Sequence, residues 1–205
     1  MKLSNKFTLV RVILAPIVLV LYFLPIWMGL SPATSKFSAV SLIVTVVLLI
    51  FGELTDYWDG YYARKRNEVS DFGKLFDPFA DVMLHLTTIT CCMYSVNPVV
   101  HYNYPVILML LFWREFSQSF LRMVAAKKGI AIGARKGGKF KTVMYISSGF
   151  YALACELVIR LNLDHRIPFF PVLVWISTGL FVVCVLCSYI SFIDYLKTFG
   201  KTLKD

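Results

Sequence analysis

The chain has 205 residues, of which 58% are hydrophobic and only 16% charged, against roughly 45–50% and about 25% in soluble globular proteins. So little polar surface cannot face water on every side, which excludes a soluble enzyme, a disordered tail and a disulfide-stapled scaffold, and makes a membrane the expected environment. The net charge of +9 suits cytoplasmic loops and anionic lipid headgroups, so membrane lipids rather than nucleic acid are the expected partners.

About 20 apolar residues cross the hydrocarbon core as a helix, and six such spans are predicted, at 7–30, 37–54, 75–95, 104–125, 143–163 and 169–196. Over the first eleven residues Lys2, Lys6 and Arg11 mix with Leu3, Phe7 and Leu9, which predicts a short interfacial segment lying along the membrane before the chain turns in. The first span is not expected to be a signal peptide. Its apolar run is longer than the usual 7–15 residues, Arg11 interrupts its start, and no A-x-A site follows. The connectors are SPATSK, the charged stretch 56–74, NPVVHYNYP, the glycine- and lysine-rich 127–141, and NLDHRIP. No repeat and no separate soluble domain is visible, so residues 1–205 are expected to form one all-α, polytopic membrane domain. With the N-terminus inside, fifteen of the 21 Lys and Arg fall on the cytoplasmic side, against Lys36, Arg160 and Arg166 on the other. Both termini and the charged loops are therefore expected in the cytoplasm, with the protein in the cell (inner) membrane. Cys91, Cys92, Cys155, Cys184 and Cys187 all lie in apolar runs and read as small core or lipid-facing residues.

Seven of the twelve carboxylates fall between Glu53 and Asp81. Acids near a membrane are costly to bury and point to function. Asp56 and Asp59 are three apart and Asp77 and Asp81 four apart, so each pair shares a helix face. Gly60, Ala63 and Arg64 fall in the arc of the first pair, and Gly73 in that of the second. The pairs sit at the cytoplasmic ends of consecutive spans, where they can face one another. Converging carboxylates repel unless a hard divalent cation joins them, and Mg²⁺ and its relatives pair carboxylates with substrate phosphates. Gly60 and Ala63 leave room for a ligand against the backbone, and Arg64 offers a fork to a phosphate oxygen. The competing explanation is a solvated acidic face balanced by Arg64, Lys65 and Arg66.

The full string is Asp56-x-x-Asp59-Gly60-x-x-Ala63-Arg64, eight residues, then Gly73-x-x-x-Asp77-x-x-x-Asp81. It resembles the signature of the CDP-alcohol phosphotransferase family at all eight fixed positions. Asn5-Lys-Phe-Thr8-Leu-Val-Arg11 with Pro16, Arg114-Glu115-Phe116 with Arg122, and Gly138-Lys139-Phe140-Lys141-Thr142 are similar to segments of the bacterial phosphatidylglycerophosphate synthase subgroup. Ser4 departs from that subgroup, which usually has proline there, and affects only the entry of the first helix. The resemblance covers about the first 145 residues.

This resemblance implies a metal-dependent phosphotransferase that exchanges the CMP of CDP-diacylglycerol for an alcohol by direct displacement. Two divalent ions, Mg²⁺ or Mn²⁺, are implied, with Asp56, Asp59 and Asp77 holding one and Asp81 helping to complete a second site. Asp81 is also the implied general base. Arg64 is implied at the diphosphate, and Asp56, Gly60, Ala63 and Gly73 at the CDP. No histidine is assigned a role, and a homodimer is implied by the family alone.

Arg114 and Arg122 on the fourth span, Lys139 and Lys141 at the start of the fifth, and Arg11 near the start of the first gather cations at one depth, suggesting an anionic acceptor. The resemblance makes that acceptor sn-glycerol 3-phosphate, ahead of inositol phosphate, serine or choline. Inside-positive topology explains the lysines equally well, and Arg114 could instead pair with Glu115 or a backbone carbonyl. Thr8 and Thr142 could add hydroxyl contacts or merely cap helices. A divalent-cation transporter needs acids at the midplane, whereas these cluster at one surface. Glu156, inside the fifth span, reads as a helix contact.

Overall fold

The structure, a computed structural model, describes residues 3–30, 36–65, 71–129 and 136–203, without the side chains of 3–4, 56–57, 59–65, 71–72, 74, 136 and 200–203. These residues form six α-helices: α1 (Leu3–Trp27), α2 (Phe37–Lys65), α3 (Asp71–Cys91), α4 (Pro105–Lys127), α5 (Lys136–Arg160) and α6 (Phe170–Leu203). A single 3-10 turn, Asp164–Arg166, precedes α6. Within the described chain α1 packs against both α2 and α3, α6 against α4 and α5, and α3 and α5 join the two groups.

Among the described residues no separate segment precedes the first helix. α1 runs unbroken from Leu3, and Asn5, Thr8 and Arg11 turn inward as a buried polar stripe at a spacing of three. Cations that read as headgroup contacts in one dimension thus include one, Arg11, that the helix directs into the bundle.

Four helices hold segments long and apolar enough to cross a membrane, Asn5–Trp27, Phe37–Thr55, Gly137–Arg160 and Phe170–Phe199, so the chain is a multi-pass membrane protein. α3 and α4 fall short for a physical reason. Each carries polar residues on its inner face, His85 on α3 and Arg114, Glu115 and Gln118 on α4. On α4, Phe112, Trp113, Phe116, Phe120 and Met123 are exposed while those charged neighbours are buried. That is the inverse of a water-soluble helix, and it fits lipid outside and a polar cavity within.

Two tight approaches set the helix spacing. A Cβ on Gly52 of α2 would come 2.8 Å from Leu84 Cδ2 of α3, and one on Gly149 of α5 would come 3.0 Å from Thr88 Cγ2. Gly52→Ala asks only that a leucine tip shift. Gly52→Val adds two more carbons and should cost about 1–3 kcal/mol by overpacking, read as a lower unfolding midpoint in detergent than that of Gly52→Ala.

A buried polar clamp closes the other end of the bundle. Arg160 donates to Glu156 Oε1 at 2.8 Å, to Tyr22 O at 3.1 Å and to Ser38 O at 3.2 Å. Its guanidinium also lies over the Tyr22 ring, 4.6 Å from the centroid. Glu156 additionally accepts from Val96 N and Tyr102 OH, both at 3.1 Å. Arg160 is therefore not the loop cation that topology counting makes it but a tie between α5, α1 and α2. Glu156 is the helix contact it was read to be. The cysteines are free and, Cys187 apart, buried, as small core residues should be.

Candidate active site

Asp77 and Asp81 lie one turn apart near the start of α3, with buried Gly73 one turn earlier on the same face. Both are held from α1. Thr8 Oγ1 donates to Asp77 Oδ1, and Arg11 Nη1 donates to Asp81 Oδ1 with Nη2 3.9 Å from Asp77 Oδ1. Arg11 is 1% exposed, and a guanidinium kept from water needs carboxylate partners. The sequence expectation put Thr8 and Arg11 at an acceptor phosphate; in the structure they brace the α3 carboxylates. Residues 8 and 11 lie on one face of α1, and that face packs on α3, so the pairing follows from helix docking.

α2 and α3 are brought into register one turn deeper. His85 Nε2 of α3 is 3.3 Å from Glu53 Oε1 of α2, and Gly52 approaches Leu84. From those contacts α2 runs on through Asp56, Asp59, Gly60, Ala63 and Arg64, and α3 runs back through Asp81 and Asp77. The side chains of Asp56, Asp59, Gly60, Ala63 and Arg64 lie outside the described residues. Among the described residues no three His, Cys, Asp or Glu side chains group tightly enough to hold a metal.

Asp81 also lines a cleft of about 170 Å³ between α3, α4, α5 and α6. Its wall includes Pro78, Val82 and His85 of α3, and Arg114, Glu115, Gln118, Ser119 and Arg122 of α4. α5 adds Gly138, Lys139, Lys141 and Thr142, and α6 adds Ser191 and Tyr195. All four cations proposed from α4 and α5 thus meet in one cavity beside Asp81, while Thr8 and Arg11 stay outside its wall.

The charges are arranged around Glu115. This buried carboxylate accepts from Arg114 Nη1 and Lys141 Nζ, each at 2.8 Å, and from Tyr145 OH at 2.9 Å. Arg114 Nε donates to Ser188 O at 3.1 Å, and Tyr145 OH lies 2.8 Å from Ser188 Oγ. Both partners foreseen as alternatives for Arg114, Glu115 and a carbonyl, are present. Four cations against Glu115 and Asp81 still leave the cleft positive, and a partly dry, positive cavity attracts anions.

Two polar wall residues, His85 and Gln118, have no role in the sequence reading, and a third, Glu115, has a larger one than expected. His85 continues the four-residue stripe of Gly73, Asp77 and Asp81, and the structure places it in the wall with Nε2 against Glu53. Gln118 lies midway between Arg114 and Arg122, four residues from each. Glu115, read from the sequence as part of the Arg114-Glu115-Phe116 segment and a possible partner of Arg114, organises three side chains.

The donor chemistry fits a hard divalent ion. Asp77 and Asp81 offer oxygens from side chains that are 39% and 33% exposed, open enough for a ligand, and carboxylate oxygen is what Mg²⁺ and Mn²⁺ prefer.

Comparison with known proteins gives a consistent result. A model of the CDP-alcohol phosphatidyltransferase family matches residues 1–183. The CDP-diacylglycerol–glycerol-3-phosphate 3-phosphatidyltransferase of Treponema pallidum is 35% identical over 206 residues, spanning 100% of this chain and 92% of that protein. The Bacillus subtilis protein of the same name is 31% identical over 185 residues, spanning 88% and 90%. In Arabidopsis thaliana, CDP-diacylglycerol–glycerol-3-phosphate 3-phosphatidyltransferase 2 is 30% identical over 211 residues, spanning 98% of this chain and 81% of its own.

Proposed function

The chain belongs to the CDP-alcohol phosphatidyltransferase family, and from that premise we propose that it transfers the phosphatidyl group of CDP-diacylglycerol to sn-glycerol 3-phosphate, forming phosphatidylglycerophosphate and CMP. The observation that carries this reading is the positive cleft whose wall includes Asp81, Arg114, Arg122, Lys139 and Lys141 together. A cavity of about 170 Å³ is below the roughly 300–1,000 Å³ of sites for drug-sized ligands. It suits a small anionic alcohol better than a nucleotide.

In this reading the acceptor's phosphate lies among Arg122, Lys139, Lys141 and Arg114, and its free hydroxyl points at Asp81. Asp81 takes the hydroxyl proton as the oxygen attacks the lipid-side phosphorus. The bond from that phosphorus to the bridging oxygen breaks, and CMP departs with the bridging oxygen. Asp56, Asp59 and Asp77 would hold one divalent ion and Asp81 would share a second. Mg²⁺ or Mn²⁺ bound there supplies positive charge to the diphosphate and to the leaving CMP. Arg64 binds the diphosphate, and Asp56, Gly60, Ala63 and Gly73 make room for the CDP. Thr8 and Arg11 fix the Asp77 and Asp81 carboxylates rather than gripping the acceptor. The Glu53–His85 contact supports bringing the two aspartate pairs together, because an antiparallel hairpin registered there sets residues 56–60 of α2 roughly level with residues 77–81 of α3.

The same reading makes all six helices membrane-spanning, with α3 and α4 tolerated because their polar faces line the cleft. Residues 1–205 then form one domain, both termini and the site are cytoplasmic, and the protein is a homodimer of the inner membrane. The test is CMP release by purified protein with CDP-diacylglycerol and Mg²⁺ or Mn²⁺. Release should require glycerol 3-phosphate and stop when the metal is chelated. Release indifferent to glycerol 3-phosphate but driven by inositol phosphate, serine or choline would remove this acceptor, and no release with any alcohol would remove the transferase.

A further inference from the structure

Gln118 is 7% exposed and lines the cleft, yet its Oε1 accepts no hydrogen bond among the described residues. A buried amide oxygen without a donor is costly and demands an explanation. The cations of α4 and α5 do not supply one among the described residues: Arg114 and Lys141 are turned to Glu115, and Arg122 Nε, one turn on, is itself buried without a partner. The oxygen also has no use for a phosphate, which near neutrality presents acceptors of its own. It suits an O–H donor.

Resting on glycerol 3-phosphate as the acceptor, we infer that Gln118 accepts a hydrogen bond from the acceptor's second, non-reacting hydroxyl and so sets acceptor specificity. Gln118 is one helical turn from Arg114 and one from Arg122, in the same wall as Asp81. A three-carbon phosphate anchored by the cations, with its terminal hydroxyl at Asp81, carries its middle hydroxyl along the wall between them. Sequence periodicity marks Arg114 and Arg122 by their charge; the neutral residue between them supplies the group that distinguishes a polyol phosphate from a simple alkyl one.

The experiment compares glycerol 3-phosphate with 3-hydroxypropyl phosphate, which lacks only the middle hydroxyl, in wild-type protein and in Gln118→Met. Wild type should favour glycerol 3-phosphate by about tenfold in kcat/KM, the range of one neutral hydrogen bond. In Gln118→Met that ratio should fall to within about twofold of unity, through a rise in KM for glycerol 3-phosphate. A wild type that uses both acceptors equally would overturn the inference without any variant. So would a variant that keeps the tenfold preference, or one that loses both acceptors in parallel, which marks a structural role. Wild type releasing no CMP with glycerol 3-phosphate would instead overturn the acceptor reading beneath it, a result visible before the analogue is tried.

Discussion

Asp81→Asn is expected to lower CMP release by about 10²–10⁴-fold, the contribution of a positioned general base, with part of the divalent-ion binding retained. The substitution keeps the side chain's shape and one oxygen but removes the site for the acceptor's proton. It also takes the carboxylate from Arg11, which is almost wholly buried and donates to Asp81 directly. Asp77 Oδ1, 3.9 Å from Arg11 Nη2, keeps that guanidinium from being stranded, so the structural cost should stay near 1–3 kcal/mol. Thermal unfolding in detergent separates the two effects. A folded variant with full turnover would show that Asp81 is not the base, and activity lost only in proportion to unfolding would make its role structural. Asp77→Asn should weaken metal binding more than the proton-transfer step, which appears as activity partly restored by excess Mn²⁺.

What the sequence reveals about this site is what helix periodicity carries. Gly73, Asp77 and Asp81 recur every four residues, and Arg114 and Arg122 are eight apart, so each set can be assigned to one face before any packing is known. The positive charges of α4 and α5 are legible for the same reason, and all four line one cleft. Pairing across the bundle is not legible. Thr8 meets Asp77 across 69 residues and Arg11 meets Asp81 across 70, and nothing local distinguishes a cation that binds substrate from one that braces a carboxylate. Hydropathy averaged along α3 and α4 likewise hides the division between a lipid face and a cavity face, which is why neither helix holds an uninterrupted apolar span. His85 is the opposite case: the four-residue spacing that joins it to Asp81 is legible, but its contact with Glu53 on α2 is not.

The second large effect lies at the far end. Arg160→Ala is expected to destabilise the protein by about 3–5 kcal/mol, the cost of leaving one partner of a buried ion pair without the other. Glu156 and Arg160 are both fully buried, and the pair is held by Val96, Tyr102, Tyr22 and Ser38 as well as by itself. Glu156→Gln should cost less than Arg160→Ala, because an amide oxygen at the Oε1 position still accepts from Val96 and Arg160, the amide NH2 can donate to Tyr102 OH, and the guanidinium keeps the Tyr22 and Ser38 carbonyls. Glu156→Gln combined with Arg160→Met should cost less than the two single changes added together, since neither charge is left alone. Tyr22 lies eleven residues beyond Arg11 on α1, about 16 Å along the helix. The folded fraction of Arg160→Ala should therefore keep its KM for glycerol 3-phosphate even as its unfolding midpoint drops. An unchanged midpoint would mean that lipid or water replaces the guanidinium, and a raised KM would mean that the clamp and the cleft are coupled through α1.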